Sequence, residues 1–124
     1  MTRTSSHQHH AINYVELTVT DLEQAKRFYA EAFGWRFNDY GPAYAGIQGV
    51  EGEGAPEAGG LRAGQNGGPG GPLVLLYSTD LDQSVEAVEN AGGLVVNGPY
   101  EFPGGRRFHF TDPSGNELGV WAEA

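Results

Sequence analysis

A chain of 124 residues is long enough for one domain with a proper core and too short for two independent ones. Sixteen acidic against seven basic residues give a formal charge of -9, which repels nucleic-acid backbones and anionic membrane surfaces, so neither is expected as a partner. The absence of cysteine excludes disulfides and thiol catalysis and fits a cytoplasmic location; nor is there an apolar run of membrane-spanning length or a signal-type apolar segment.

Residues 1–11, which open with MTRTSSHQHH, are polar and unpatterned and read as a disordered lead-in; His7, His9 and His10 belong to this tail. From Ile12 to Val19 the residues alternate. Val15, Leu17 and Val19 are apolar, while Tyr14, Glu16 and Thr18 point the other way, as in a strand with one face in a core. Asp21 is placed to cap a helix in which Leu22, Ala25, Phe28, Tyr29, Ala32 and Phe33 form an apolar stripe, and Gly34 to end it. Trp35–Tyr40 and Tyr44–Val50 read as further strands on either side of Gly41-Pro42. Glycine dominates residues 51–71; a fourth strand is expected at Gly59–Ala63, the remainder as a flexible connector, and the acids from Glu51 to Glu57 as solubility charges.

The pattern then returns. Leu73–Tyr77 is a strand with Val74 and Leu76 toward a helix and Leu73, Leu75 and Tyr77 on the opposite face. Thr79-Asp80-Leu81-Asp82-Gln83 answers Thr20-Asp21-Leu22-Glu23-Gln24, and Gly92-Gly93 answers Gly34. Strands at Leu94–Asn97, Arg106–Thr111 and Glu117–Ala122 follow, with turns at Gly98-Pro99, Gly104-Gly105 and Asp112-Pro113-Ser114-Gly115-Asn116. The order βαβββ, written twice, implies an α+β fold. Modules 12–64 and 72–122 would form a curved mixed sheet of two half-barrels, with helices on the outer face and a concave, ligand-sized pocket on the other.

Two stretches carry a resemblance: V-x-D-L-x-x-A-x-x-F-Y-x-x-x-F-G-W at Val19–Trp35 and F-x-D-P-S-G-N-E-L at Phe110–Leu118. With them the chain resembles the vicinal oxygen chelate superfamily of glyoxalases, extradiol dioxygenases and bleomycin resistance proteins, and within it the small proteins related to lactoylglutathione lyase. The resemblance covers Ile12 to Trp121, implies the duplicated fold, and is nearly silent on reaction. Its catalytic members hold a divalent metal with one position in the first and one in the last strand of each module. Carried over, these positions fall on Tyr14, seven residues before Asp21, on Leu73, seven before Asp80, and on Gly119, seven after Asp112. The fourth falls in the glycine-rich stretch, where Glu57 is the nearest acid and the register is loose. Leu and Gly side chains cannot ligate, so no metal and no cofactor is expected, and metal-dependent glyoxalase or dioxygenase activity is put in doubt.

Alternation places Glu16, Tyr77, Arg107, His109 and Trp121 with Tyr14 on the concave face, and Tyr44 is a further candidate wall. The expected function is that of a metal-independent lyase or isomerase acting on a small carbonyl or anionic molecule. Glu16 and His109 would be its catalytic base and acid, and Tyr14, Tyr77, Arg107 and Trp121 its ligand-binding residues. The alternative is a protein that binds and sequesters a small molecule; a third reading is a metalloenzyme with a relocated site on Glu16, Glu57 and His109. Against these stand plainer roles: a Glu16–Arg107 pair across the sheet, a structural His109, and aromatic rings that fill the pocket instead of lining it. A small-molecule ligand and a homodimer are the expected partners, as the family commonly pairs and an open curved sheet leaves exposed edges.

Overall fold

The computed structural model describes residues 9, 12–49, 54, 56–65 and 72–123, so the expectations for the lead-in and for most of the glycine-rich connector fall outside the described residues. The first module runs β1 (Val15–Val19), α1 (Leu22–Phe33), β2 (Phe37–Asp39), β3 (Tyr44–Ile47) and β4 (Gly59–Ala63). The second runs β5 (Val74–Tyr77), α2 (Leu81–Asn90), β6 (Leu94–Phe102), β7 (Gly105–Thr111) and β8 (Glu117–Ala122). Each module makes its own four-stranded sheet, ordered β1-β4-β3-β2 and β5-β8-β7-β6. In both, the strand before the helix pairs in parallel with the last strand, and the other pairings are antiparallel. The architecture is thus α+β, with mixed half-barrel sheets that do not close into a barrel. No helix among the described residues is long and apolar enough to cross a membrane.

Local chemistry fixes the helices. Asp21 accepts from the Gln24 amide at 3.1 Å and Asp80 from the Gln83 amide at 3.2 Å, satisfying donors that the first helical turn leaves free. Gly34 ends α1 in the left-handed conformation at φ 73°, which a side chain would disfavour.

The core lies between helices and sheets. Phe28, Tyr29, Phe108 and Phe110 are its largest fully buried rings, and Phe28 of α1 meets Phe110 of β7 at 6.0 Å between centroids, so the two modules share one core. The turn after β7 clamps the modules further. Tyr29 donates to Asp112 Oδ2 at 2.9 Å, the Thr20 amide to Ser114 Oγ at 2.8 Å and Asn116 Nδ2 to the Thr18 carbonyl at 2.7 Å.

One boundary differs from expectation in a way that matters. Gly98-Pro99 does not turn the chain: β6 continues from Leu94 to Phe102, and its pairing with β7 shifts register between Val95 and Asn97 and again between Asn97 and Tyr100. Gly98 takes φ 86°, so the irregularity is absorbed as a bulge inside the strand. The continued strand sets Tyr100 opposite Arg107 and Phe102 opposite Gly105.

Candidate functional site on the inner face

Burial shows which way each strand faces. In β7, Phe108 and Phe110 are wholly buried in the core, so Arg107 and His109 belong to the opposite, inner face. In β8, Leu118, Val120 and Ala122 are buried, which sends Glu117, Gly119 and Trp121 inward. The same reasoning on Val19, Ala45, Ile47 and Leu61 leaves Tyr14, Glu16, Thr18, Tyr44, Gly46, Gly60 and Arg62 on the inner face of the first module. Two clusters result.

On the second module, Arg107 Nε donates to the Tyr100 hydroxyl at 2.5 Å, and the guanidinium lies 5.5 Å from the Tyr100 ring centre and 5.2 Å from that of Phe102. The Tyr100 hydroxyl is also 3.1 Å from His109 Nε2, and His109 Nδ1 is 2.9 Å from Glu117 Oε2. With the neutral imidazole protonated on Nδ1 every bond in this chain is satisfied: Arg107 to Tyr100, Tyr100 to His109, His109 to Glu117. Arg107 is half-buried and forms no ion pair among the described residues, whereas Arg62 pairs with Glu16 and Arg106 with Asp82. The wall is completed by Trp121, edge-on to Tyr77 at 5.0 Å and to Phe102 at 6.2 Å; the Tyr77 hydroxyl is held by Glu123 at 2.7 Å.

On the first module, phenols converge on two carboxylates. Glu57 accepts from Tyr40 at 2.6 Å, from Asn38 at 2.9 Å and from Tyr14 at 3.4 Å. These donors, Tyr40 first, hold its carboxyl below the usual range. The Tyr14 and Tyr44 hydroxyls are 2.6 Å apart, and Tyr44 donates to Glu16 at 3.1 Å. Burial, with Tyr14 and Glu16 as hydrogen-bond partners, pushes the Tyr44 phenol well up. Glycine makes the arrangement possible. A Cβ at Gly60 would collide with the Tyr44 hydroxyl and one at Gly46 with the Glu57 carboxylate, so both groups lie directly on the sheet.

The structure therefore joins Tyr77, Arg107, His109 and Trp121 in one cluster and places Tyr14 and Glu16 in the other. A cleft of about 600 Å³ between β1 and β5 is lined by Tyr14, Glu16, Thr18, Leu73 and Asn116. The pairing of Glu16 with Arg107 is corrected: Glu16 lies 3.4 Å from Arg62, its neighbour on the adjacent strand. Glu57 is corrected likewise, from a solvated loop charge to a half-buried acceptor. Tyr40, Tyr100, Phe102 and Glu117 were not assigned to the site from sequence, and Glu57 entered there only as a member of the relocated metal site. Only Glu117 left a usable signal there, two residues before Gly119 on the same face of β8.

At the family's four metal positions the donor set does not fit a divalent ion. Leu73 offers no lone pair, and the space that Gly119 leaves is taken by Leu75, whose Cδ2 would lie 2.5 Å from a Cβ there. The matching registers, Leu75 with Gly119 and Glu16 with Gly60, make Gly60 the counterpart of Gly119, so Tyr14 is the one position of the four whose side chain carries an oxygen.

A model of the Glyoxalase/Bleomycin resistance protein/Dioxygenase superfamily matches residues 11–120. The chain belongs to this superfamily. It is 29% identical over 127 residues to "Putative glyoxylase CFP32" of Mycobacterium bovis, an alignment covering 98% of this chain and 49% of that protein. The chain thus spans about half the length of the curated relatives it matches first. Among solved structures, a glyoxalase-related enzyme from Fulvimarina pelagi superposes with a TM-score of 0.76 at 20% identity, covering 91% of this chain and 88% of that one. TnmS3, an antibiotic binding protein from Streptomyces sp. CB03234, superposes with a TM-score of 0.66 at 24% identity, covering 95% of this chain and all of that one (100%). Both similarities concern the superfamily's fold.

Proposed function

We propose that this superfamily member binds a small, flat, oxygenated molecule bearing an anionic group, and that it does so on the inner face of the second module without a resident metal. The observation that carries the reading is Arg107. In a chain of charge -9, a half-buried guanidinium that has no carboxylate partner among the described residues, and that is fixed by Tyr100 and laid along Phe102, is set up for an exogenous anion. Its Nε is engaged, so its terminal nitrogens are the donors left for a carboxylate or phosphonate, while Trp121 and Tyr77 supply aromatic walls. That a protein of the same fold, TnmS3, is an antibiotic binding protein supports a small-molecule binding role. Leu73, Leu75 and Tyr77 are 38%, 40% and 52% exposed on this face, which supports a second copy of the chain as its cover; sedimentation at micromolar concentration checks that.

A second reading, a lyase or isomerase, draws support from Glu117, which orients His109 as a carboxylate orients a proton-transferring imidazole. Glu16 bonds to Tyr44 and Arg62 in the other cluster, so His109, Tyr100 and Glu117 would carry that chemistry.

Calorimetric titration of chelator-treated protein with 2-naphthoate tests the binding reading. Saturable binding, weakened about ten- to hundredfold in Arg107→Met, is expected for the loss of a charge-assisted contact. Equal affinity in the variant rejects it, and conversion of a screened substrate would favour the enzyme.

A further inference from the structure

Val15 and Leu17 of β1 and Val74 and Leu76 of β5 alternate toward the core, yet all four remain half-buried, whereas Val19 at the end of β1 is fully buried. They line a concavity of about 280 Å³ on the helix side of the sheets, which shares Val15, Leu17 and Val74 with the inner-face cleft and is distinguished from it by Leu76, Ile47, Leu118 and Trp35. Trp35 is a rigid plane here, stacked on the buried Tyr29 ring at 4.6 Å and 10°. Among the described residues no charged side chain lines the pocket. Its polar side chain is Gln48, whose Nε2 is committed to Asn38 Oδ1 at 2.9 Å and to the Phe37 carbonyl at 3.4 Å. With the amide nitrogen anchored, Oε1 is left as an acceptor without a hydrogen bond among the described residues.

The geometry points to a second small-molecule site, for an uncharged aromatic of one or two fused rings whose single N–H or O–H donates to Gln48 Oε1. Size, walls and polarity each select the ligand. An apolar cavity of roughly 150 Å³ suffices for benzene, so this one has room for a bicyclic ring. Burying a charge among these side chains without a partner would cost far more than the contacts return. One acceptor at the wall favours one donor on the ring. The site stands independently of the reading of Arg107.

Indole is the probe, followed by methyl NMR of the full chain. Saturable shifts are expected at the methyls of Leu76, Ile47 and Leu118, which line this concavity and not the inner-face cleft, with Leu73 and Leu75 of the inner face unmoved. Leu17→Trp, which fills the space, should abolish them. 1-Methylindole, lacking the donor, should bind about three- to tenfold more weakly than indole, and Gln48→Met should remove that preference without needing the bulkier variant to fold. Absence of saturable shifts, shifts centred on Leu73 and Leu75, or an unchanged preference in Gln48→Met would each overturn the site. So would pocket methyls that shift with protein concentration and ignore indole, because a second copy would then be covering the pocket.

Discussion

Tyr29 of α1 donates its hydroxyl to Asp112 Oδ2 at 2.9 Å across the two modules, and both residues are buried. Asp112 Oδ1 accepts from the Ser114 and Asn116 amides at 2.9 and 2.8 Å, so one carboxylate closes its own turn and ties that turn to the first module's helix. Burial, reinforced by the adjacent Asp112, holds the Tyr29 phenol protonated well above its ordinary range.

Tyr29→Phe keeps the ring and deletes the bond. Because it leaves a buried carboxylate oxygen with one donor fewer, unfolding in urea should show a loss of about 1–3 kcal/mol. Asp112→Ala should cost more, since three further hydrogen bonds go with it, two to Oδ1 and one from the Asn116 side chain to Oδ2. A Tyr29→Phe protein as stable as the wild type would show that this bond adds nothing to the joining of the modules.

Glu57 predicts a pH dependence. Its folded carboxyl titrates below the unfolded one, so its contribution to stability is complete above the unfolded value and is lost as pH falls through the folded value. Glu57→Gln should therefore lower stability at neutral pH and flatten the decline that sets in as pH falls below the ordinary carboxylate range. Denaturant midpoints across that range check it; parallel curves for the two proteins would contradict the arrangement at Tyr40 and Asn38.

Adjacent glycines in β4 should respond differently to alanine. At Gly59 a Cβ would meet the Val15 backbone carbonyl, which cannot move without breaking the β1–β4 pairing, so Gly59→Ala should cost more than about 2 kcal/mol. At Gly60 it would meet the Tyr44 hydroxyl and come within 2.7 Å of the Tyr14 hydroxyl, both at the ends of side chains that can swing away. Gly60→Ala should therefore keep the fold and lower the Tyr44 ionisation toward ordinary values, as followed by ultraviolet titration of the phenols.

Much of this molecule was legible in its sequence because the signals are local and repeated. Asp21 and Asp80 cap the two helices, Gly34 stops the first, and β4 falls at Gly59–Ala63 as expected despite its glycine-rich surroundings. Alternation also put Arg107, His109 and Trp121 on one face. It failed where the period of two is interrupted. The bulges in β6 reset the register, so Tyr100 and Phe102, which hold Arg107, could not be counted onto the inner face. Glu57 precedes β4 in a stretch without apolar alternation, and its partners Tyr40 and Asn38 come from the far side of the sheet.

The central claim is that Arg107 receives the ligand's anionic group. A crystal structure of chelator-treated protein soaked with 2-naphthoate tests it most directly. The account predicts the carboxylate within about 3 Å of the Arg107 terminal nitrogens, with the rings against Trp121 and Tyr77. A carboxylate bound elsewhere, or one that appears only when a divalent ion sits between it and Tyr14 and Glu57, would contradict it.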